Sequence, residues 1–159
     1  MIAAEAVVKT MRACFEHGGK LLVCGNGGSA AQAQHFVAEL VGRYRTDREP
    51  YAAISLCADT AVITAIANDF GYAHIFARQV QALGQPGDIL VAISTSGMSS
   101  NVLKAIDAAR LKGLIVIGIS GAEGFGRPCD LEVRAPHTFT APIQEWHLQV
   151  LHHICEAFE

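Results

Sequence analysis

The sequence is short of charge, and it lacks the segments that anchor or export a protein. Charged residues make up 17% of its 159 residues and the formal net charge is −3, which predicts no basic surface for nucleic acid. No apolar run is long enough to span a membrane, and the amino terminus lacks the layout of a signal peptide. Linkers, repeats and low-complexity tracts are also missing, so we expect one domain over residues 1–159.

Cysteines are too few and too scattered to form a disulfide framework. Their number is odd and no CxxC pair occurs, which also argues against a zinc site made of thiolates. We therefore expect reduced thiols and a cytoplasmic location for a protein with five widely spaced cysteines, Cys14, Cys24, Cys57, Cys129 and Cys155.

Apolar residues are abundant, and their arrangement repeats. They form 51% of the chain, enough for a sizeable core, and the scarcity of charge suggests that other subunits cover part of the surface. Apolar runs at residues 20–24 and 89–93 each end in small polar residues and are followed by helical periodicity. This alternation predicts an α/β fold with a central parallel β-sheet and helices on both faces, bounded by helical segments at residues 1–19 and 143–159.

The loop after the second of these strands is rich in small hydroxyl residues. It reads Ser-Thr-Ser-Gly-Met-Ser-Ser over residues 94–100 and leads into a helix that opens near Asn101. Gly97 allows a close backbone approach, and the free N–H groups of the helix start favour an anion such as a phosphate monoester. An alternative is that the hydroxyl groups only cap the helix, and the loop alone does not decide between the two.

Two of the predicted helices carry side chains that could bind a metal ion. His35 and Glu39 are four residues apart on the helix predicted at residues 30–42, so they share a face. Gln144 and His152 lie about 80° apart around the last helix and can face one direction. Together they would form a site of nitrogen and oxygen ligands suited to zinc or a similar divalent ion. Alternatively, His35 and Glu39 form a surface ion pair, and His152 lies near the end of the last helix because a histidine there interacts favourably with the helix dipole.

Several motifs resemble those of the sugar isomerase (SIS) domain family. They are GNGGSA at residues 25–30, followed by AQHFVAEL and GRYR, then ISTSGMSSN at residues 93–101 and IQEWHLQVLHHI at residues 143–154. Within that family the chain resembles the phosphoheptose isomerases, and the resemblance extends over nearly all of it from residue 20. The combination of the four side chains described above is what points to that branch.

The resemblance implies roles for particular side chains. Zinc would be bound by the four candidates described above, His35, Glu39, Gln144 and His152. Glu39 and His152 would also serve as the catalytic base and acid. The substrate would be bound by a larger set, in which the loop hydroxyl groups hold the phosphate: Asn26, Ser29, Arg43, Asp69, Ser94, Thr95, Ser96, Ser99 and Gln144.

The reaction implied by the resemblance interconverts sedoheptulose 7-phosphate and D-glycero-D-manno-heptose 7-phosphate through an enediol or enediolate. This reaction opens heptose biosynthesis for bacterial surface glycans such as lipopolysaccharide, and the resemblance implies a homotetramer. Similar proteins carry a further N-terminal helical segment used in tetramer packing, which leaves the assembly mode of this chain open. An alternative within the family is a non-catalytic adaptor for a DNA-replication initiator protein. Such adaptors lack the carboxylate at Glu39 and the histidine at His152, so the isomerase is favoured.

Overall fold

The computed structural model describes residues 2–159, with side chains described from Ala4 onward, so Met1 of the predicted segment 1–19 lies outside it. Six α-helices and five strands follow one another along the described chain. The helices are α1 (Ile2–Glu16), α2 (Gly28–Val41), α3 (Thr60–Phe70), α4 (Ala77–Leu83), α5 (Ser100–Leu111) and α6 (Thr140–Glu156). The strands are β1 (Leu21–Cys24), β2 (Ala53–Ser55), β3 (Ile89–Ser94), β4 (Ile115–Ser120) and β5 (Leu131–Arg134), and a short 3₁₀ turn occupies Tyr72–His74.

The five strands form one parallel sheet, as the sequence predicted. Their order is β2-β1-β3-β4-β5, with Leu21 opposite Ile89 and Ile89 opposite Ile115. The chain moves outward from β1 to β2 and then crosses back to β3, so a topological switch point lies between β1 and β3. The connections that follow these two strands diverge to opposite faces, which leaves a crevice at the carboxyl ends of the strands.

Helices cover both faces of the sheet because its central strands are apolar on both sides. Leu21 and Val23 of β1 face a core formed with α1, α2 and α6, whereas Leu22 and Cys24 face a core formed with α4 and α5. Every residue of β3 is buried, the pattern of a strand covered on both faces. The predicted α/β architecture is confirmed. None of the helices within residues 2–159 is both long and apolar enough to cross a lipid bilayer.

The first helix lies within the predicted segment of residues 1–19. α1 ends at Glu16, and the N–H of Gly18 donates to the Phe15 carbonyl. Gly18 adopts a φ of +76°, the left-handed conformation with which helices commonly terminate.

The last helix begins earlier than the predicted residue 143. α6 starts at Thr140, so that Pro142 lies in its first turn. Proline is tolerated there because the N–H groups of a first turn have no partner within the helix. The earlier start brings Thr140 to the crevice between β1 and β3, and the helix ends at Glu156 instead of residue 159.

Candidate active site

A cavity of about 250 Å³ lies in the crevice at the carboxyl ends of β1 and β3. The loop after β1, the loop after β3 and the first turns of α6 all contribute to its walls. Ligands of parallel α/β sheets bind at this position, next to the switch point. Ten residues line the cavity: Asn26, Gly27, Gly28, Ser29, Ile93, Ser94, Thr95, Ser99, Thr140 and Gln144.

Three helices begin at this cavity, and the N-cap residue of each makes no side-chain capping bond. Gly28 of α2, Ser99 before α5 and Thr140 of α6 all line it, and the residue preceding each helix makes no side-chain hydrogen bond to it. First-turn N–H groups have no partner within a helix, and the three helix dipoles favour negative charge at this point. No charged side chain is among the residues that line the cavity, so backbone and hydroxyl groups would supply the anion binding.

The serines of the loop after β3 do not cap α5, which separates the two interpretations of that loop. Ser99 occupies the N-cap position without a cap hydrogen bond, and it lines the cavity. Ser94 Oγ accepts from the Gly97 N–H at 3.1 Å, and Ser96 Oγ accepts from the Met98 N–H at 3.2 Å. These bonds shape the loop itself. Ser96 is exposed and is not among the lining residues.

The loop after β4 packs against the loop after β3, residues 94–100, which we call the hydroxyl loop. Gly126 N–H donates to the Gly97 carbonyl at 3.0 Å. A Cβ atom on Gly97 would lie 2.7 Å from the carbonyl carbon of Gly124 and 3.0 Å from Phe125 Cα. Gly97 also has a φ of +64°, so both its conformation and its lack of a side chain are needed here.

Three polar side chains connect the loop after β1 to the start of α5 and to the 3₁₀ turn. Asn26 Nδ2 donates to Asn101 Oδ1 at 2.8 Å, and Asn101 Nδ2 donates back to Asn26 Oδ1 at 2.8 Å. The Tyr72 hydroxyl donates to Asn26 Oδ1 at 3.0 Å. Asn101 is 1% exposed, so this amide pair is largely shielded from competing water. Neither Asn101 nor Tyr72 was predicted as a site residue.

His35 of α2 and His152 of α6 meet where these helices pack together. Their Nε2 atoms are 2.9 Å apart, and His35 Nε2 lies 3.6 Å from Glu39 Oε1. The His35 side chain is 42% exposed and the Glu39 side chain 18%, so the carboxylate is the better shielded of the two. The structure thus brings together three of the four predicted metal ligands, including both predicted catalytic residues. We call these three side chains the His35 cluster.

The fourth predicted ligand, Gln144, lies at the cavity. Its side-chain amide packs against Gly28, with Gln144 Cδ 2.9 Å from where a Cβ of that glycine would be. Within residues 2–159 it makes no hydrogen bond to the His35 cluster. Because Gln144 meets Gly28 and His152 meets His35, α2 and α6 run in the same direction where they touch. About 10 Å of axial rise along α2 and about 12 Å along α6 separate the cavity from the cluster.

The chemistry of these donors suits zinc, although their arrangement is that of hydrogen-bonded side chains. Imidazole nitrogens and carboxylate oxygens are ordinary zinc ligands. Two nitrogens bound tetrahedrally to one zinc ion would lie roughly 3.3 Å apart, compared with 2.9 Å between His35 and His152. Among residues 2–159, no three His, Cys, Asp or Glu side chains are placed to hold a metal ion. Zinc binding needs rotations of these side chains and stays a prediction.

Thiols and a buried histidine near the site are held in their neutral forms. Burial raises the pKa of Cys57 and raises that of Cys24 well above its usual value, so neither is a thiolate at neutral pH. Burial also raises the pKa of Cys155 to about 12. His147 is fully buried, which lowers its pKa, and its Nε2–H donates to the Ser120 carbonyl at 3.0 Å.

Besides Ser96, two further predicted substrate-binding residues, Arg43 and Asp69, are not among those that line the cavity. Arg43 is exposed after α2, and its guanidinium donates to the Arg45 carbonyl at 2.9 Å. Asp69 is exposed near the end of α3 and accepts from the Asn68 side-chain amide at 3.0 Å. Their assignment to substrate binding stays a prediction. Thr140 was not predicted, although the Thr-Ala-Pro sequence before residue 143 is typical of a helix start.

The chain is similar to known proteins over almost its whole length. The family model described as SIS domain matches residues 2–121. The phosphoheptose isomerase of Rhodospirillum rubrum is 53% identical over 159 residues, which cover 99% of this chain and 82% of that protein. The chain belongs to the phosphoheptose isomerase family.

Solved structures of phosphoheptose isomerases share the fold described above. The structure from Francisella tularensis has a TM-score of 0.93 and 42% identity, covering 98% of this chain and 84% of that one. The structure from Neisseria gonorrhoeae has a TM-score of 0.91, with the same identity and coverage. Membership of the phosphoheptose isomerase family makes the chain an isomerase, as the sequence favoured over the adaptor.

Proposed function

We propose that this chain converts sedoheptulose 7-phosphate to D-glycero-D-manno-heptose 7-phosphate, as an aldose–ketose isomerase. The observation that carries the proposal is the layout of the site along α2 and α6, with an anion cavity at one end and the His35 cluster at the other. About 10 Å of helix separates the two ends. A seven-carbon sugar with its phosphate in the cavity therefore directs its first carbons toward the cluster, whereas a much shorter sugar phosphate falls short of it.

The phosphate end of the substrate is bound by the hydroxyl loop. Ser94, Thr95 and Ser99 line the cavity beside the start of α5, and the exposed Ser96 belongs to the same loop. Asn26, Ser29 and Gln144 also line it and bind the sugar hydroxyl groups. Arg43 and Asp69, which are exposed, are proposed as further substrate contacts from the resemblance alone. Binding at the phosphate holds the reacting carbons close to the acid and base, which lowers the entropic part of the barrier.

The chemistry needs one group that moves a carbon-bound proton and one that moves a hydroxyl proton. Glu39 takes a proton from C1 to give the enediolate and returns it to C2, while His152 gives a proton to O2 and receives the one lost from O1. The net change moves the carbonyl from C2 to C1 without any oxidant. The shielding of Glu39 and the close approach of His152 to His35 support these roles.

A zinc ion held by His35, Glu39, Gln144 and His152 would supply a Lewis acid that stabilises negative charge on the sugar oxygens. Glu39 and His152 would help to hold the ion and would also carry the proton transfers described above. Gln144 has to turn away from Gly28 to join this set, because its amide now packs on that glycine.

The biological setting is proposed on the same basis. The product enters bacterial heptose biosynthesis, for lipopolysaccharide or a related glycan, in the cytoplasm. A homotetramer is supported by the surface of α3, which carries apolar residues such as Val62 and Ile66 although none of its residues is buried within the protomer. A groove of about 550 Å³ lies along that helix, between it and Leu83 of α4.

The test compares the wild-type protein with Glu39→Gln, after loading with zinc, in conversion of sedoheptulose 7-phosphate to an aldoheptose phosphate. The variant keeps the size of the side chain but removes the base, so we expect kcat to fall by on the order of 10²–10⁴. Glu16→Gln, on the exposed end of α1, is the matched control and should retain full activity. A folded, zinc-loaded wild-type protein without turnover would contradict the proposal, and so would full activity in Glu39→Gln.

A further inference from the structure

We infer that Asn101 and Tyr72 are positioning residues that set the direction of the Asn26 amide, so that Asn26 presents an N–H donor to a hydroxyl oxygen of the sugar phosphate. The inference rests on the proposed function, because it names a determinant of sugar binding at the same cavity. Of the three side chains only Asn26 lines the cavity. Asn101 is 1% exposed behind it, and Tyr72 is 59% exposed on the outer side.

One backbone N–H group determines how the whole network points. Val102 N–H can only donate, and its nitrogen lies 2.9 Å from Asn101 Oδ1, so that atom must be the amide oxygen. Asn101 Nδ2 therefore faces Asn26, and the atom that receives its hydrogen bond must be Asn26 Oδ1. Reversing the Asn26 amide would set N–H against N–H and oxygen against oxygen across the pair. The direction is thus imposed by α5 itself.

The Tyr72 hydroxyl reinforces this direction and fills the remaining capacity of the oxygen. It donates to Asn26 Oδ1, which also accepts from Asn101 Nδ2, so both lone pairs of that oxygen are used. Asn26 Nδ2 carries two hydrogens, and Asn101 Oδ1 takes one of them. The second hydrogen is left for a ligand in the cavity. Asn26 is therefore a donor toward the cavity, and the ligand atom that matches it is an acceptor.

Fixing this amide in advance should strengthen sugar binding. A side chain that is already held loses little rotational freedom when a ligand arrives, and this is the usual gain from preorganisation. The three side chains come from the loop after β1, the 3₁₀ turn after α3 and the start of α5. A contact made by three separate elements keeps the amide aligned even though Asn26 itself stands in a loop.

The first test is Tyr72→Phe, which removes one hydroxyl group from an exposed side chain and should leave the fold intact. Titration calorimetry measures the Kd of sedoheptulose 7-phosphate and, separately, that of inorganic phosphate. We expect the sugar phosphate to bind about threefold to tenfold more weakly, with no change for inorganic phosphate, which occupies only the hydroxyl loop. Tyr51→Phe is the matched control and should change neither value. Tyr51 packs between Phe15 and Phe158 at the amino-terminal end of β2, away from the cavity.

The second test is Asn101→Asp, which keeps an oxygen for the Val102 N–H but removes the donor to Asn26. We expect sugar phosphate affinity to fall by about tenfold or more. The new carboxylate also repels inorganic phosphate, so here the loss for the sugar phosphate should be the larger of the two. If this variant does not fold, Tyr72→Phe decides alone. Unchanged sugar phosphate affinity in Tyr72→Phe, or equal weakening of both ligands, overturns the inference. So does a wild-type protein that binds the sugar phosphate no more tightly than inorganic phosphate. If the wild-type protein binds the sugar phosphate tightly but does not isomerise it, the proposed function is contradicted. The comparison of variants then still tests the inference.

Discussion

Replacing Gly97 by alanine should damage both the stability of the protein and its affinity for phosphate. The left-handed conformation of Gly97, with φ at +64°, costs an alanine about 1–2 kcal/mol. The new methyl group also collides with the backbone of Gly124 and lies 3.0 Å from Phe125 Cα, where no side chain can rotate away. Overpacking of this kind costs about 1–3 kcal/mol more.

A second glycine allows the two costs to be separated. Gly18 has a φ of +76°, yet a Cβ atom there would meet nothing within 4 Å. Gly18→Ala therefore carries the conformational cost without the collision. At about 2–4 °C for each kcal/mol, the collision alone should place the Tm of Gly97→Ala roughly 2–12 °C below that of Gly18→Ala.

The assay is thermal unfolding followed by circular dichroism, together with titration of inorganic phosphate into each folded variant. Relief of the collision has to move the loop that carries Ser94 and Ser99, so we expect Gly97→Ala to bind phosphate about tenfold more weakly. Gly18→Ala, at the far edge of the sheet, should bind it like the wild type. Equal Tm values for the two variants, or unchanged phosphate affinity in Gly97→Ala, would refute the reasoning.

Two further predictions concern metal binding and acid stability. His35→Ala should weaken zinc binding by more than about tenfold, measured by competition with a chelating dye, whereas loss of the exposed His17 in His17→Ala should not; equal zinc affinities would count against the proposed ligand set. Burial disfavours the ionised Asp88, but hydrogen bonds from Lys20 and from the Gln85 N–H outweigh it and lower its pKa. Its stabilisation is therefore complete above about pH 4, the unfolded pKa, and is lost as the pH falls through the folded pKa. Asp88→Asn should cost about 1–3 kcal/mol in urea unfolding at neutral pH and reduce the acid sensitivity; an unchanged pH profile would contradict this.

The sheet and the loops that follow β1 and β3 could be predicted because their signals are local. The apolar runs at residues 20–24 and 89–93 differ from β1 and β3 by a single residue at one end. Small polar residues directly after a strand predict a loop at the carboxyl end of that strand, and this prediction does not depend on the rest of the chain. The prediction of a phosphate site in that crevice depended on nothing more.

The contacts between distant elements could not be predicted in the same way. Asn26 meets Tyr72 and Asn101 across 46 and 75 residues of chain, and His35 meets His152 across 117. Helical periodicity showed which side chains share a face of one helix, but not where along α2 and α6 the two helices touch. That relative position brings His152 to His35 and leaves the Gln144 amide against Gly28.

The lack of charged side chains around the cavity has a consequence for the way that binding responds to pH. Backbone N–H groups and hydroxyl groups do not titrate near neutrality, so the cavity offers the same donors under mildly acidic and mildly basic conditions. The ligand does titrate, because the second ionisation of a phosphate monoester falls near pH 6. The affinity of the cavity for phosphate should therefore follow the protonation of the ligand, and alanine substitutions, which leave every backbone donor in place, will understate how much of that affinity the chain provides.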